Sequence, residues 1–333
     1  MDGAQMNMPT CDAAAHEQGK KGIAGSTIKI IAVIAMLIDH VAAGLLVRYM
    51  MVKGMSIPLY VVYDVMRLIG RLGFPIFCFL LVEGFQKTRN IGKYAARLGL
   101  FALISEIPFD LAFSGRMLEF NYQNVYFTLF FGILALWAID FILKKDFGKV
   151  LQVLLTVLGI VMPVLYVPLA IRSRFDDYVD YVLFLNLDRM GKTAYLALCL
   201  VVGGAMLVFW AVYRAKKGSD RAWRMCACVA VTFAAMFAAD FLKTDYSGMG
   251  VLTIVMMYLF RRNKVISMLS GCIVLVAMSL AEFTAFFTLI PVARYNGERG
   301  LKMKYFFYAF YPVHLLLIWL IAWVMGTAWI PVV

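Results

Sequence analysis

The sequence predicts an all-α, polytopic membrane protein with about ten transmembrane helices around a polar intramembrane cavity. Three observations carry that prediction. Of 333 residues, 63% are hydrophobic and only 16% charged, with a mean hydropathy of +0.82, far from the composition of a soluble domain. Runs of about 20 apolar residues, the length of a bilayer-spanning helix, recur along the chain. Lys and Arg gather in the short segments between these runs, the distribution that orients membrane proteins.

Taken in order, the spans fall at 28–47, 66–86, 94–113, 125–143, 149–171, 193–213, 223–243, 248–260, 265–290 and 305–326. The eighth is short, as a tilted or broken helix would be. Residues 1–26 are polar and small and read as a disordered cytoplasmic tail. Residues 27–333 read as a single multi-pass domain, because neither a linker nor a fixed-period repeat divides them. The net charge of +12 follows from topology and needs no nucleic-acid partner. Lys20, Lys21 and Lys29, then Lys87, Arg89, Lys93 and Arg97, then Lys144, Lys145 and Lys149, and later Arg214, Lys216, Lys217, Arg261, Arg262 and Lys264 all fall in alternate loops. Placing those loops inside puts both termini in the cytoplasm of a cell-membrane protein with lipid as its solvent. One segment departs from the rule. Arg294, Arg299, Lys302 and Lys304 fall outside in this count, so that loop either binds something anionic or marks a miscounted span. The outer loop 172–192 is also charged, but its acids balance its cations.

The six cysteines lie mostly within or against spans and make no disulfide framework. Cys226 and Cys228 lack a second ligand pair nearby, so no metal is expected. The absence of a P-loop or dinucleotide fingerprint argues against a pump driven by nucleotide hydrolysis within this chain.

Chemistry is concentrated in a few ionisable residues set in apolar runs. Asp39 and His40 sit side by side in the first span, Arg67 and Arg71 in the second, Glu106 and Asp110 in the third, Asp240 in the seventh and His314 in the last. A charge at mid-bilayer costs roughly 2.5–3.5 kcal/mol on insertion scales, so such residues must pair or line a wet cavity. Counting along the spans brings them to one level of the membrane. Arg67 and Arg71 share a helix face, as do Glu106 and Asp110, so two cations are expected to meet two anions. Adjacent residues are separated by about 100° on a helix, so Asp39 and His40 cannot both aim at one point. Pro75, Pro108 and Pro312 place helix breaks among these groups, and each proline frees a carbonyl one turn earlier. Asn121 to Asn124, Asp245 to Gly248 and Arg294 to Gly297 supply polar outer loops that would rim the same cavity. A buried ion pair that merely fixes helix register explains any one of these charges, but is a poorer account of the whole set.

Several ordered blocks resemble the TraX family of membrane proteins. They are Met36-Leu37-Ile38-Asp39-His40, Arg67 to Phe77, Leu80 to Phe85, Ile104-Ser105-Glu106-Ile107-Pro108-Phe109-Asp110, Asn121 to Leu129, Tyr295 to Gly300 and Tyr305 to Leu315. The resemblance covers most of the chain, while 144–225 is ordinary apolar sequence. It implies a multi-pass acetyltransferase that moves an acetyl group from cytoplasmic acetyl-CoA to an amine or hydroxyl of a peptide or glycan acceptor reached from the outer side. Composition alone would not indicate acetyl transfer.

Within that expectation His40 is the general base, with Asp39 or another carboxylate stabilising its imidazolium. Arg71 or Arg67 would hold the thioester oxygen or a phosphate, and Glu106 and Asp110 would act in the site or pair with those arginines. Tyr311 and His314 would donate hydrogen bonds to the acceptor, with Asn121, Asn124, Tyr246 and Asn296 contributing from the rim. The competing expectation is a proton-coupled transporter, since midplane charges and broken helices also mark transport pathways. Against it, the chain shows no duplicated halves.

Overall fold

Among the described residues the fold is helical throughout, as the 3.6-residue apolar pattern requires. The computed structural model describes residues 22–183, 192–301 and 304–332. Residues 1–21 of the expected tail, most of the loop before Lys192, and Lys302 lie outside the described residues. The first helix, α1 (Gly25–Lys53), contains a π-helical turn at Ala42–Leu46. Then come α2 (Ile57–Gly70), α3 (Gly73–Lys87), α4 (Ile91–Phe113), α5 (Val125–Lys144) and α6 (Lys149–Leu183). They are followed by α7 (Lys192–Lys217), α8 (Ser219–Phe241), α9 (Ser247–Leu259) and α10 (Lys264–Met278). A 3₁₀ segment (Leu280–Thr288), the short α11 (Leu289–Ala293) and α12 (Lys304–Val324) complete the chain.

Seven of the described helices, with α2 and α3 counted as one kinked helix, are long and apolar enough to cross a membrane. The difference from ten has physical causes. Helix α4 is 23 residues long but carries Lys93, Arg97, Glu106 and Asp110. Helices α9 and α10 have only 13 and 15 residues.

The expected ninth span, 265–290, is a hairpin. Helix α10 ends at Ser279, whose side chain caps the following 3₁₀ segment at Ala281 N, and the chain doubles back through α11. Its return is fixed by contacts at the starting end: Lys264 Nζ donates to the carbonyl of Tyr295, and Lys87 Nζ lies 3.0 Å from the Gly297 carbonyl. Ile23 N donates to Arg294 O at 2.9 Å, and Gly25 N to Glu298 O at 2.8 Å. Arg294 and Arg299 therefore lie at the same end as the other basic loops, which removes the exception to the charge rule. The extra crossing also corrects the placement of the termini. The start of α1 is at this basic end, whereas Val332 N donates to Phe113 O at 2.8 Å at the far end of α4. Residues 23 and 332 are thus at opposite ends of the bundle, whereas the expectation put both termini on one side.

A continuous core of Phe79, Ile133, Leu136, Ile254, Met257 and Met268 joins α3, α5, α9 and α10. Close helix contacts depend on small residues, as packing in lipid requires. A Cβ on Gly159 would sit 2.1 Å from Cys226 O of α8. At the end opposite the basic loops, Arg48 is fully buried and donates to the carbonyls of Gly44 (2.6 Å), Ala112 (2.7 Å) and Ile330 (2.9 Å). It ties the π turn, the end of α4 and the C-terminal segment together.

Candidate functional site

His40 is the last residue but one before the π turn. Such single-turn insertions recur at functional sites because they re-aim the side chains beside them. The His40 ring lies parallel to that of His314 on α12, with centroids 5.0 Å apart and planes at 5°. His40 Nδ1 and His314 Nε2 are 2.7 Å apart, and His314 Nδ1 is 2.8 Å from the Phe310 carbonyl. A carbonyl only accepts, so His314 Nδ1 carries its proton and the neutral His314 Nε2 is an acceptor. His40 Nδ1–H therefore donates, which leaves His40 Nε2 with a free lone pair. Phe113 and Tyr311 close edge-on around the ring at 5.4 and 6.0 Å, within a small cluster that includes Phe109, Leu315 and Ile318. His314 is buried, but His40 is only half-buried.

Asp39 faces the other way and does not meet its neighbour's ring. Its Oδ2 accepts from Arg67 Nη1 at 2.6 Å. Arg71, one turn on, pairs at 2.9 Å with Glu282, a buried carboxylate of the 3₁₀ segment. This ion-pair pattern replaces the expected match of the two arginines with Glu106 and Asp110. The kink between α2 and α3 explains it. Leu72 N turns back to Ile69 O, which releases Leu68 O to Thr284 Oγ1 at 2.8 Å. Pro75 sits in the first turn of α3, where its missing N–H costs nothing. Gly70 makes the kink possible, since a Cβ there would fall 2.2 Å from Asp39 Oδ1. Tyr246 stacks on Phe74 at 3.7 Å beside Arg71. In the same loop Asp245 accepts from the Tyr122 hydroxyl at 2.8 Å. Burial pushes the Asp245 carboxyl above its ordinary range, against the opposing pull of Tyr122 and the two arginines.

Glu106 and Asp110 serve the loop that joins α4 to α5. Asn124, fully buried, donates its side-chain amide to Glu106 and to the Ala102 carbonyl (2.8 Å), while its own Oδ1 caps Tyr126 N. Asp110 Oδ2 accepts from Glu119 N at 2.9 Å. Asn121 is exposed and bonded to Glu119 and Lys243. Asp240 accepts from Gly248 N at 2.6 Å at the start of α9. Asn296 is at the basic end, remote from the rim where an outer loop would have put it.

Sequence reasoning missed Glu282 and Arg48. Glu282 carries the mark that singled out Asp39, a lone carboxylate in an apolar run, and the run 265–290 was read only for its length. Two cavities lie at the basic end, and neither includes the paired central charges in its lining. The larger, about 670 Å³, is lined by Lys29, Arg97 and Arg299 together with Phe77, Tyr94 and Tyr126. Tyr126 meets Tyr311 edge-on at 4.9 Å, and Tyr311 meets His40. Lys29 and His40 are 11 residues apart on α1, hence on one face and about 16 Å apart along it.

The fold and these side chains define a multi-helix membrane protein whose polar residues are held between spans, with a cationic cleft at one end and a histidine pair between α1 and α12. The TraX protein family profile matches residues 24–218 and 196–322, so the chain belongs to the TraX family. It is also similar to the probable fimbrial assembly protein FimC, serogroup H1, of Dichelobacter nodosus, with 38% identity over 116 residues. That match spans 33% of this chain and 43% of the relative. No solved structure matches.

Proposed function

We propose that the protein is a membrane-embedded acetyltransferase that takes its acetyl group from cytoplasmic acetyl-CoA, with His40 as general base. The observation that carries this reading is the proton order of the histidine pair, which presents His40 Nε2 as a neutral acceptor on a half-buried ring. In the transfer step, the acceptor nitrogen or oxygen attacks the thioester carbonyl while His40 Nε2 takes its proton. As the tetrahedral adduct collapses the C–S bond breaks, and His40 returns the proton to the departing thiolate, which leaves as free thiol. His314, with the Phe310 carbonyl behind it, holds the imidazole in the required tautomer and is a positioning residue.

The donor fits the basic end. The positive-inside rule puts that end in the cytoplasm, where Lys29, Arg97 and Arg299 would meet the diphosphate. The aromatic shaft would take the pantetheine arm toward His40. The acceptor would enter from the opposite end. The fimbrial role in the relative's name favours a protein subunit of a surface fibre over a glycan.

The test is release of free thiol from acetyl-CoA by purified protein in detergent, with peptide amines and glycan hydroxyls as acceptors. Acceptor-dependent release that falls by about 10²–10⁴-fold in His40→Ala is expected. Absence of binding and turnover with every acceptor would favour transport instead, to be pursued by uptake into proteoliposomes.

A further inference from the structure

Beside the donor cleft is a second cavity of about 540 Å³, and the two share Glu83, Lys87, Tyr295 and Gly297 on their walls. Its remaining lining is strongly cationic: Arg261, Arg262 and Lys264, with Asn263 and Asn296 between them. Glu83 is the one carboxylate on this wall, and it is already bound to Lys87 at 2.7 Å. Among the described residues no carboxylate pairs with Arg261, Arg262 or Lys264.

Two of the three cations are also held in place. Arg261 lies over the Tyr258 ring at 3.8 Å and donates to the Tyr258 carbonyl at 2.8 Å. Lys264 is fixed by the Tyr295 carbonyl. Topology asks only for positive charge near the ends of spans. It does not ask for a cavity, for three cations without anions around it, or for an arginine fixed over an aromatic ring.

We propose that this cavity is a phosphomonoester subsite that receives the ribose 3′-phosphate of the CoA donor. The proposal rests on the acetyl-CoA reading above. A phosphomonoester carries nearly two negative charges and three acceptor oxygens, which matches the uncompensated cations, and guanidinium groups suit it by their paired donors. The diphosphate occupies the mouth of the larger cleft, and the 3′-phosphate turns past Tyr295 into the smaller one. The subsite makes the enzyme selective for CoA over carriers that end in pantetheine alone.

The experiment compares acetyl-CoA with acetyl-dephospho-CoA, which lacks only that phosphate, in the thiol-release assay. Wild-type protein and Arg262→Gln are assayed in nanodiscs of zwitterionic or anionic lipid. A charge-assisted contact is worth roughly 1.5–3 kcal/mol, so the dephospho donor should show a KM about ten- to a hundredfold higher with kcat unchanged. Arg262→Gln, at an exposed position, should bring acetyl-CoA close to the dephospho value. Equal KM values for the two donors in wild-type protein would overturn the subsite while leaving acetyl transfer intact. Stabilisation by anionic lipid that Arg262→Gln abolishes, with no discrimination between donors, would assign the cavity to a lipid headgroup and overturn it as well. Failure of both donors to release thiol would overturn the acetyltransferase reading itself.

Discussion

Asp39 and His40 are adjacent in the chain but belong to regions of different character. On the Asp39 side, charges are matched by charges: Asp39 with Arg67, and Glu282 with Arg71. These pairs span a helix kink and tie it to the 3₁₀ segment. On the His40 side no carboxylate among the described residues is in contact; a neutral partner and a backbone carbonyl set the proton order. The first arrangement fixes geometry, because each group already has its counter-charge. The second leaves one lone pair unspent, which is the requirement for a base. Two ionisable residues that look alike in an apolar run are separated by the faces they present and by what those faces meet.

The comparison breaks most severely at His314. His314→Ala is predicted to lower kcat, normalised to the folded fraction, by about 10²-fold through misplacement of the His40 ring, with KM nearly unchanged. A fall in stability with normal kcat would make the pair a packing feature. On the other side, Arg67→Met should destabilise by up to about 3 kcal/mol because it strands a half-buried carboxylate. Asp39→Leu in the same chain should recover most of that loss, as read from thermal unfolding in detergent.

A smaller effect is expected at Gly70→Ala. The added Cβ must displace Asp39, at a cost of about 1–3 kcal/mol for overpacking; unaltered stability would show that the kink is not held by this contact. The smallest concerns Asp245. Its carboxyl is raised in the folded protein, so the fold binds that proton more tightly than the unfolded chain does. Its contribution is therefore present at low pH and declines as pH rises from the ordinary carboxylate value toward the folded one. Asp245→Asn should remove this part of the pH dependence of Tm, and an unchanged profile would count against it.

Much of this was legible in the sequence. Helical class and membrane character follow from the apolar runs, and the need of Asp39, Arg67 and Arg71 for partners follows from their place in those runs, because insertion cost is a property of the residue and its neighbours. Partner choice was not legible. Which carboxylate meets Arg71 depends on a hairpin that brings Glu282 back across the bundle, and a 26-residue apolar run reads the same whether it crosses once or folds on itself. The basic loop around Arg299 was the available signal, since its placement outside violated the charge rule that every other loop obeyed. His314 was seen as a candidate, but its pairing with His40 across 274 residues is a tertiary fact.

The most direct test of the account is the turnover of two folded variants side by side, His40→Ala and the double replacement Asp39→Leu with Arg67→Met. Each rate would be normalised to the folded fraction. The account predicts loss of at least about 10²-fold in the first and turnover within a few-fold of wild type in the second. Retained turnover in His40→Ala, or its abolition in a well-folded double variant, would contradict the division of labour between these neighbouring residues.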